Sequence, residues 1–94
     1  MFDIKIGEGG EIFLSGRFDA TQVDRARKEL SQVDSSCTVN FENLDYISSA
    51  GLGVLLSVQK RLNGSSDSLT LVGLNRHIRE IFRIAGFDQV FKID

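Results

Sequence analysis

Cys37-Thr38-Val39-Asn40-Phe41, followed after a connector by Ser48-Ser49-Ala50-Gly51-Leu52-Gly53-Val54-Leu55-Leu56, holds the change of period that decides the fold. In the first run Cys37, Val39 and Phe41 alternate with polar residues, the period-2 pattern of a strand with one buried face. In the second, Leu52, Leu55, Leu56 and Gln59 recur at helical spacing with Val54 and Val58 beside them. A helix with so wide an apolar surface packs on more than one side. Asn63-Gly64-Ser65-Ser66-Asp67 stops that helix in a surface loop, and Leu69-Thr70-Leu71-Val72 reads as another buried strand. Strand, helix and strand in close succession predict parallel strands joined by a right-handed crossover.

The flanking sequence extends this pattern. Phe2, Ile4 and Ile6 alternate with Asp3 and Lys5, Gly7-Glu8-Gly9-Gly10 is turn chemistry, and Glu11-Ile12-Phe13-Leu14 resumes as a strand. So short a loop predicts an antiparallel hairpin, with Gly16 ending or bulging its second strand. Asp19 and Gln22 stand at capping-box spacing before a helical stripe of Val23, Ala26, Leu30 and Val33. A last helix is capped by Asn75, runs through Ile78, Ile81, Phe82 and Ala85, and stops at Gly86 in a left-handed C′ position with Phe87 packing back. Val90 to Ile93 adds a closing edge strand. The expectation is an α/β fold: a mixed, mostly parallel sheet with an N-terminal antiparallel hairpin and helices packed against it.

Composition narrows the function. The 94 residues, read as one domain over 1–94, are 41% apolar and 26% charged, with no proline. A chain of this size buries roughly 60–65% of its unfolded surface, enough for one core. No apolar run approaches the length of about 20 residues that spans a bilayer, so no membrane insertion is expected. A single cysteine forms no internal disulfide, which points to a reducing, cytoplasmic setting. The net charge of −2 offers no basic patch for nucleic acid. One histidine and one cysteine cannot build a His/Cys zinc site, and no G-x-S-x-G elbow is present. A binding or regulatory module without metal, cofactor or catalytic residues fits this inventory better than an enzyme.

The informative segment is Leu44-Asp45-Tyr46-Ile47-Ser48-Ser49-Ala50-Gly51-Leu52-Gly53, which lies past the carboxyl end of a predicted strand and opens a helix. Sites in open α/β sheets form at that end. Small residues allow another surface to approach the backbone, and the unpaired first-turn amides favour negative charge. By spacing alone either Ser48 or Ser49 is a helix N-cap. A generic phosphate-binding loop is disfavoured because the lysine of G-x-x-x-x-G-K-[ST] is missing.

Asp45 to Leu56 resembles the signature turn and helix of STAS domains, specifically the bacterial anti-sigma factor antagonists. Gly16-Arg17-Phe18-Asp19-Ala20-Thr21, Cys37-Thr38-Val39-Asn40-Phe41, and the segment from Leu71-Val72-Gly73-Leu74-Asn75 through Ala85-Gly86-Phe87 are similar to the family in the same order. The resemblance implies a partner switch. A serine at the helix start is phosphorylated by a partner that is both serine kinase and anti-sigma factor. The unphosphorylated antagonist sequesters that partner, and a PP2C-type serine phosphatase resets it. Alignment on Gly51-Leu52 places the acceptor at Ser49, with Ser48, where members often carry Asp, as second choice. The implied partner-binding surface comprises Asp19, Thr21, Asn40, Ser48, Ser49, Ala50 and Gly51, on a chain that is monomeric when free.

Other residues read more plainly. His77, without a second histidine, is a surface residue, and Arg76, Arg79 and Arg83 form a solvated helix face. Cys37 is expected to be a buried small hydrophobe, inert to thiol reagents. Two competing functions remain: a STAS subunit docking on a transporter or other assembly without phosphorylation, and a small enzyme or nucleotide binder built on the helix terminus. Serine at the acceptor place disfavours the first, and the lack of a readable nucleophile–base pair disfavours the second.

Overall fold

The computed structural model describes residues 1–94. The predicted hairpin forms from β1 (Asp3–Ile6) and β2 (Ile12–Phe18), paired antiparallel with Ile6 opposite Ile12. A 3₁₀ turn (Ala20–Gln22) and α1 (Val23–Leu30) lead to β3 (Cys37–Ile47), then α2 (Ser49–Asn63) and β4 (Leu69–Val72). After α3 (Arg76–Ile84), a second 3₁₀ turn (Phe87–Gln89) precedes β5 (Lys92–Ile93). The sheet order is β1-β2-β3-β4-β5, parallel from β2 onward. All three crossovers step the same way across the sheet, so right-handed connections set the helices on one face.

That face holds the core. Ile12, Leu14 and Phe18 of β2 and Val39, Phe41, Leu44 and Ile47 of β3 point into it, with Ala26 and Leu30 of α1 and Leu52, Leu55, Val58 and Leu62 of α2 above them. Phe82 of α3 meets Phe41, Phe87 and Phe91 edge-on, with ring centroids 5.8, 6.3 and 5.8 Å away. Gly86 adopts φ 76°, the left-handed conformation predicted for it. The opposite face stays open, with Lys5, Phe13, Arg17 and Lys92 exposed. No helix is long and apolar enough to cross a membrane.

The central strand is longer than its periodicity suggested. β3 runs on to Ile47 instead of ending at Phe41, because it stays paired with β2 as far as Phe18, and it carries two more residues than β2 across that ladder. Phe13 pairs with Asn40 but Ser15 with Asn43, and Gly16 with Leu44 but Arg17 with Tyr46. Each extra residue is a bulge that resets the inward parity, so Leu44 and Ile47 both face the core although three residues apart. The Asn40 side-chain oxygen accepts from the Glu42 amide at 2.8 Å and closes the first bulge.

Three local expectations are corrected. The Asp19–Gln22 capping box does not form: Asp19 accepts from Thr21 instead, tightening the first turn to 3₁₀, and α1 begins only at Val23. The closing strand is two residues long, not four, because the turn at Phe87–Gln89 takes up the chain before it. Cys37, the first residue of β3, is only half-buried at the margin of the core, and desolvation still raises its thiol pKa.

Gln59 is the one polar side chain of the buried set. Its Oε1 accepts from the Leu69 amide at 2.8 Å and its Nε2 donates to the Val90 carbonyl at 2.9 Å, tying α2 to the start of β4 and to the C-terminal segment. Gln59→Leu conserves volume but strands a buried donor, the Leu69 amide, and a part-buried acceptor, the Val90 carbonyl. We expect it to lower the unfolding free energy by about 1–3 kcal/mol in urea denaturation. Wild-type stability for this variant would show that packing alone holds α2.

Candidate functional site

Parallel pairing sets Phe18, the last residue of β2, opposite Ile47, the last residue of β3. Both strands therefore release their chains at one end of the sheet. The link continues one residue further, where the Ser48 amide donates to the Phe18 carbonyl at 2.9 Å. Ser48 is extended (φ −87°, ψ 168°), and its Oγ accepts from the Gly51 amide at 3.1 Å while its carbonyl accepts from Leu52. It is the N-cap of α2. Ser49 is the first helical residue; its side chain is exposed and takes no part in capping.

Gly51 shows why the turn must be small. A Cβ there would stand 3.0 Å from Ile47 Cγ1 and 3.1 Å from both Phe18 Cγ and the Phe18 carbonyl oxygen. Glycine lets the first turn of α2 sit directly on the end of β2. With the Gly51 amide taken by Ser48, the Ser49 and Ala50 amides are left at the positive end of the helix dipole.

The other rim residues leave from the same strand end. Asp19 follows Phe18, and its Oδ1 accepts from the Thr21 amide at 3.0 Å and from the Thr21 hydroxyl. Those bonds, with the nearby Arg17 charge, hold the Asp19 carboxyl below its ordinary value, so it is anionic at neutral pH. Thr21 is exposed, and Gln22 Nε2 donates to its hydroxyl at 3.4 Å. Asp19, Thr21, Ser48, Ser49, Ala50 and Gly51 are thus gathered at one end of the sheet. Asn40 is not among them: it lies back along β3 opposite Phe13, with its side-chain oxygen engaged by Glu42.

Sequence reasoning passed over three residues at this end. Phe18 is fully buried and seats both Ser48 and Gly51. Arg17 and Tyr46 are register partners on the open face, with the guanidinium 4.3 Å from the ring centroid. The alternation of β2 places Arg17 outward, but nothing in the linear pattern of β3 predicts that Tyr46 meets it, because two bulges intervene.

The family described as Mlab, STAS domain, matches residues 5–93. BtrV of Bordetella bronchiseptica, a protein named as an anti-sigma factor antagonist, is 38% identical over 84 residues, covering 85% of this chain and 72% of BtrV. A Thermotoga maritima structure described in the same terms superposes with TM-score 0.80 at 19% identity, covering 98% of this chain and 84% of the other. The anti-sigma factor antagonist SpoIIAA in its unphosphorylated form gives TM-score 0.74 at 18% identity over 100% of this chain and 87% of its own. Its phosphorylated form, the Bacillus cell fate determinant, gives 0.72 at 19% identity over 100% and 91%. At those identities the structures speak for the fold, and the sequence match for the family. The chain belongs to the STAS domain family, among its anti-sigma factor antagonists.

Proposed function

We propose that this chain is a phosphorylation-controlled partner switch acting in the cytoplasm. Its unphosphorylated form binds a protein that is both anti-sigma factor and serine kinase, and phosphorylation of Ser49 releases that protein. One observation carries the choice of acceptor. Of the two adjacent serines, Ser48 has its oxygen committed to the Gly51 amide, whereas Ser49 stands exposed at the first position of α2. A PP2C-type phosphatase resets the switch. The chain is a monomer when free, acts by presenting a surface to its partner, and has no catalytic residue, metal or cofactor of its own.

The electrostatics of the turn suit this role. A phosphoserine adds about −1.5 to −2 charges at neutral pH. At the head of α2 those charges meet the helix dipole, which favours them locally by about 0.3–1 kcal/mol. The fold therefore tolerates the modification. A partner fitted against a neutral hydroxyl does not: added bulk, desolvation and repulsion from its own acidic groups together cost several kcal/mol, with each 1.4 kcal/mol a factor of about ten in affinity. Asp19, Thr21, Ser48 and Ala50 form the rim of the contact, Gly51 permits its close approach, and Asn40, back along β3 opposite Phe13, stands outside it.

Incubation with the cognate kinase and ATP is expected to add one phosphate, mapped by mass spectrometry to Ser49. Ser49→Ala should block incorporation and keep partner binding. Ser49→Asp should fold normally yet bind about tenfold or more weakly, through charge at a close contact. Phosphate on Ser48 alone, or equal tight binding by both Ser49 variants, would overturn the proposal. A chain that no serine kinase modifies, but that is retained by a transporter assembly, would favour the docking-subunit function instead.

The two serines should also separate in stability. Ser48→Ala removes the cap and is expected to cost about 0.5–2 kcal/mol in urea denaturation. Ser49→Ala removes no hydrogen bond of the fold and should shift stability by less than about 0.5 kcal/mol. The reverse order would place the cap on Ser49.

A further inference from the structure

Seven arginines decorate this surface, and four of them are already engaged. Arg25 is bound to Asp3 and the Phe2 carbonyl, Arg61 to the Val33 and Leu30 carbonyls, Arg79 to the Asp94 backbone oxygen, and Arg83 to Glu80. Arg17, Arg27 and Arg76 are not paired with any carboxylate. Arg17 alone of these three lies over an aromatic ring, that of Tyr46, at 4.3 Å. The pair sits one residue before Phe18 and Ile47, whose ends carry Asp19 and Ser48.

We propose that Arg17, held on the Tyr46 ring, is a specificity-determining contact of the switch and receives a carboxylate side chain of the partner protein. This rests on the partner-switch reading and adds the chemistry of the group recognised. A guanidinium lying on a ring face keeps its N–H donors at its edges, where a planar carboxylate takes two of them in parallel. Stacking fixes the arginine before the partner arrives, so less side-chain freedom is lost on binding. Tyrosine and arginine are also the residue types in which binding energy concentrates. Tyr46 is half-buried and Arg17 exposed, so the ring is anchored in the sheet while the charge remains available. The position of the pair extends the contact from the serine turn around the sheet end onto its open face.

The acidic groups nearby do not satisfy Arg17 first. Asp19 is turned to the Thr21 amide and hydroxyl. Asp45 is the extra residue of the second bulge and Glu42 of the first, and neither forms an ion pair with Arg17. A partner carboxylate thus meets a cation already in place with its donors free.

The test measures affinity for the purified anti-sigma factor kinase that modifies the wild-type chain, with thermal melting as a check on folding. Arg17→Glu should weaken binding by about thirtyfold or more, the threshold of a strong contact. Arg17→Lys, which keeps the charge but loses the fork, should weaken it several-fold, as should Tyr46→Leu, which frees the arginine. The KM for Ser49 phosphorylation should rise in Arg17→Glu with kcat little changed. Reversing one acidic residue of the kinase to arginine should restore binding to Arg17→Glu and not to the wild type. Wild-type affinity in both Arg17→Glu and Arg17→Lys, against a wild-type chain that binds and is phosphorylated, would overturn this inference and leave the switch standing. A wild-type chain that neither binds nor is phosphorylated by any serine kinase of its host would overturn both.

Discussion

One hydrogen bond organises the candidate site: the Ser48 amide to the Phe18 carbonyl, 2.9 Å long, joining the end of β3 to the end of β2. It continues the parallel ladder one step beyond the sheet. Because of it, the residues that follow Phe18 and those that follow Ile47 emerge side by side. The closeness of Gly51 to Phe18, where even a methyl group would crowd, makes the same junction rigid from the helix side. Asp19 and Thr21 meet the serine turn through this contact, although nearly thirty residues of chain separate them. The shared surface depends on that junction holding.

Much of this was readable in the chain, and the largest failure has a single cause. Amphipathic stripes at Ile78, Phe82 and Leu52, Leu55, the left-handed glycine at Gly86, and the alternation of Phe2 and Ile4 each mark an element by a local rule that the fold obeys. β3 breaks its rule. Bulges at Glu42 and Asp45 shift its parity twice, so its second half reads as a connector and its facing residues cannot be counted off. The same shifts concealed the pairing of Tyr46 with Arg17. At Asp19 two capping partners competed, and the nearer threonine took the carboxylate.

The distinction between Ser48 and Ser49 was the hardest to read, because adjacent serines at a helix start satisfy the same preference. Geometry separates them by the extended backbone of Ser48 and its bond to the Gly51 amide. That division of labour has a physical consequence. A phosphate on a capping hydroxyl would disturb the bond that starts the helix, whereas one on the next residue meets free amides and solvent. In the proposed switch, the helix dipole would stabilise the modified state while the partner's surface rejects it. Opposite responses to one charge are what a switch requires, and no large movement of the sheet or its core is needed.

Comparison of amide chemical shifts tests most directly whether the sheet and its core stay in place when Ser49 is phosphorylated. The chain would be prepared with phosphoserine incorporated at residue 49 during synthesis and set beside the unmodified chain. Shift changes confined to residues 17–22 and 46–54, with unchanged signals from β4, α3 and the Phe82 cluster, are the predicted result. Changes spread through the core or across the whole sheet would contradict a switch that acts by surface charge on a preformed fold.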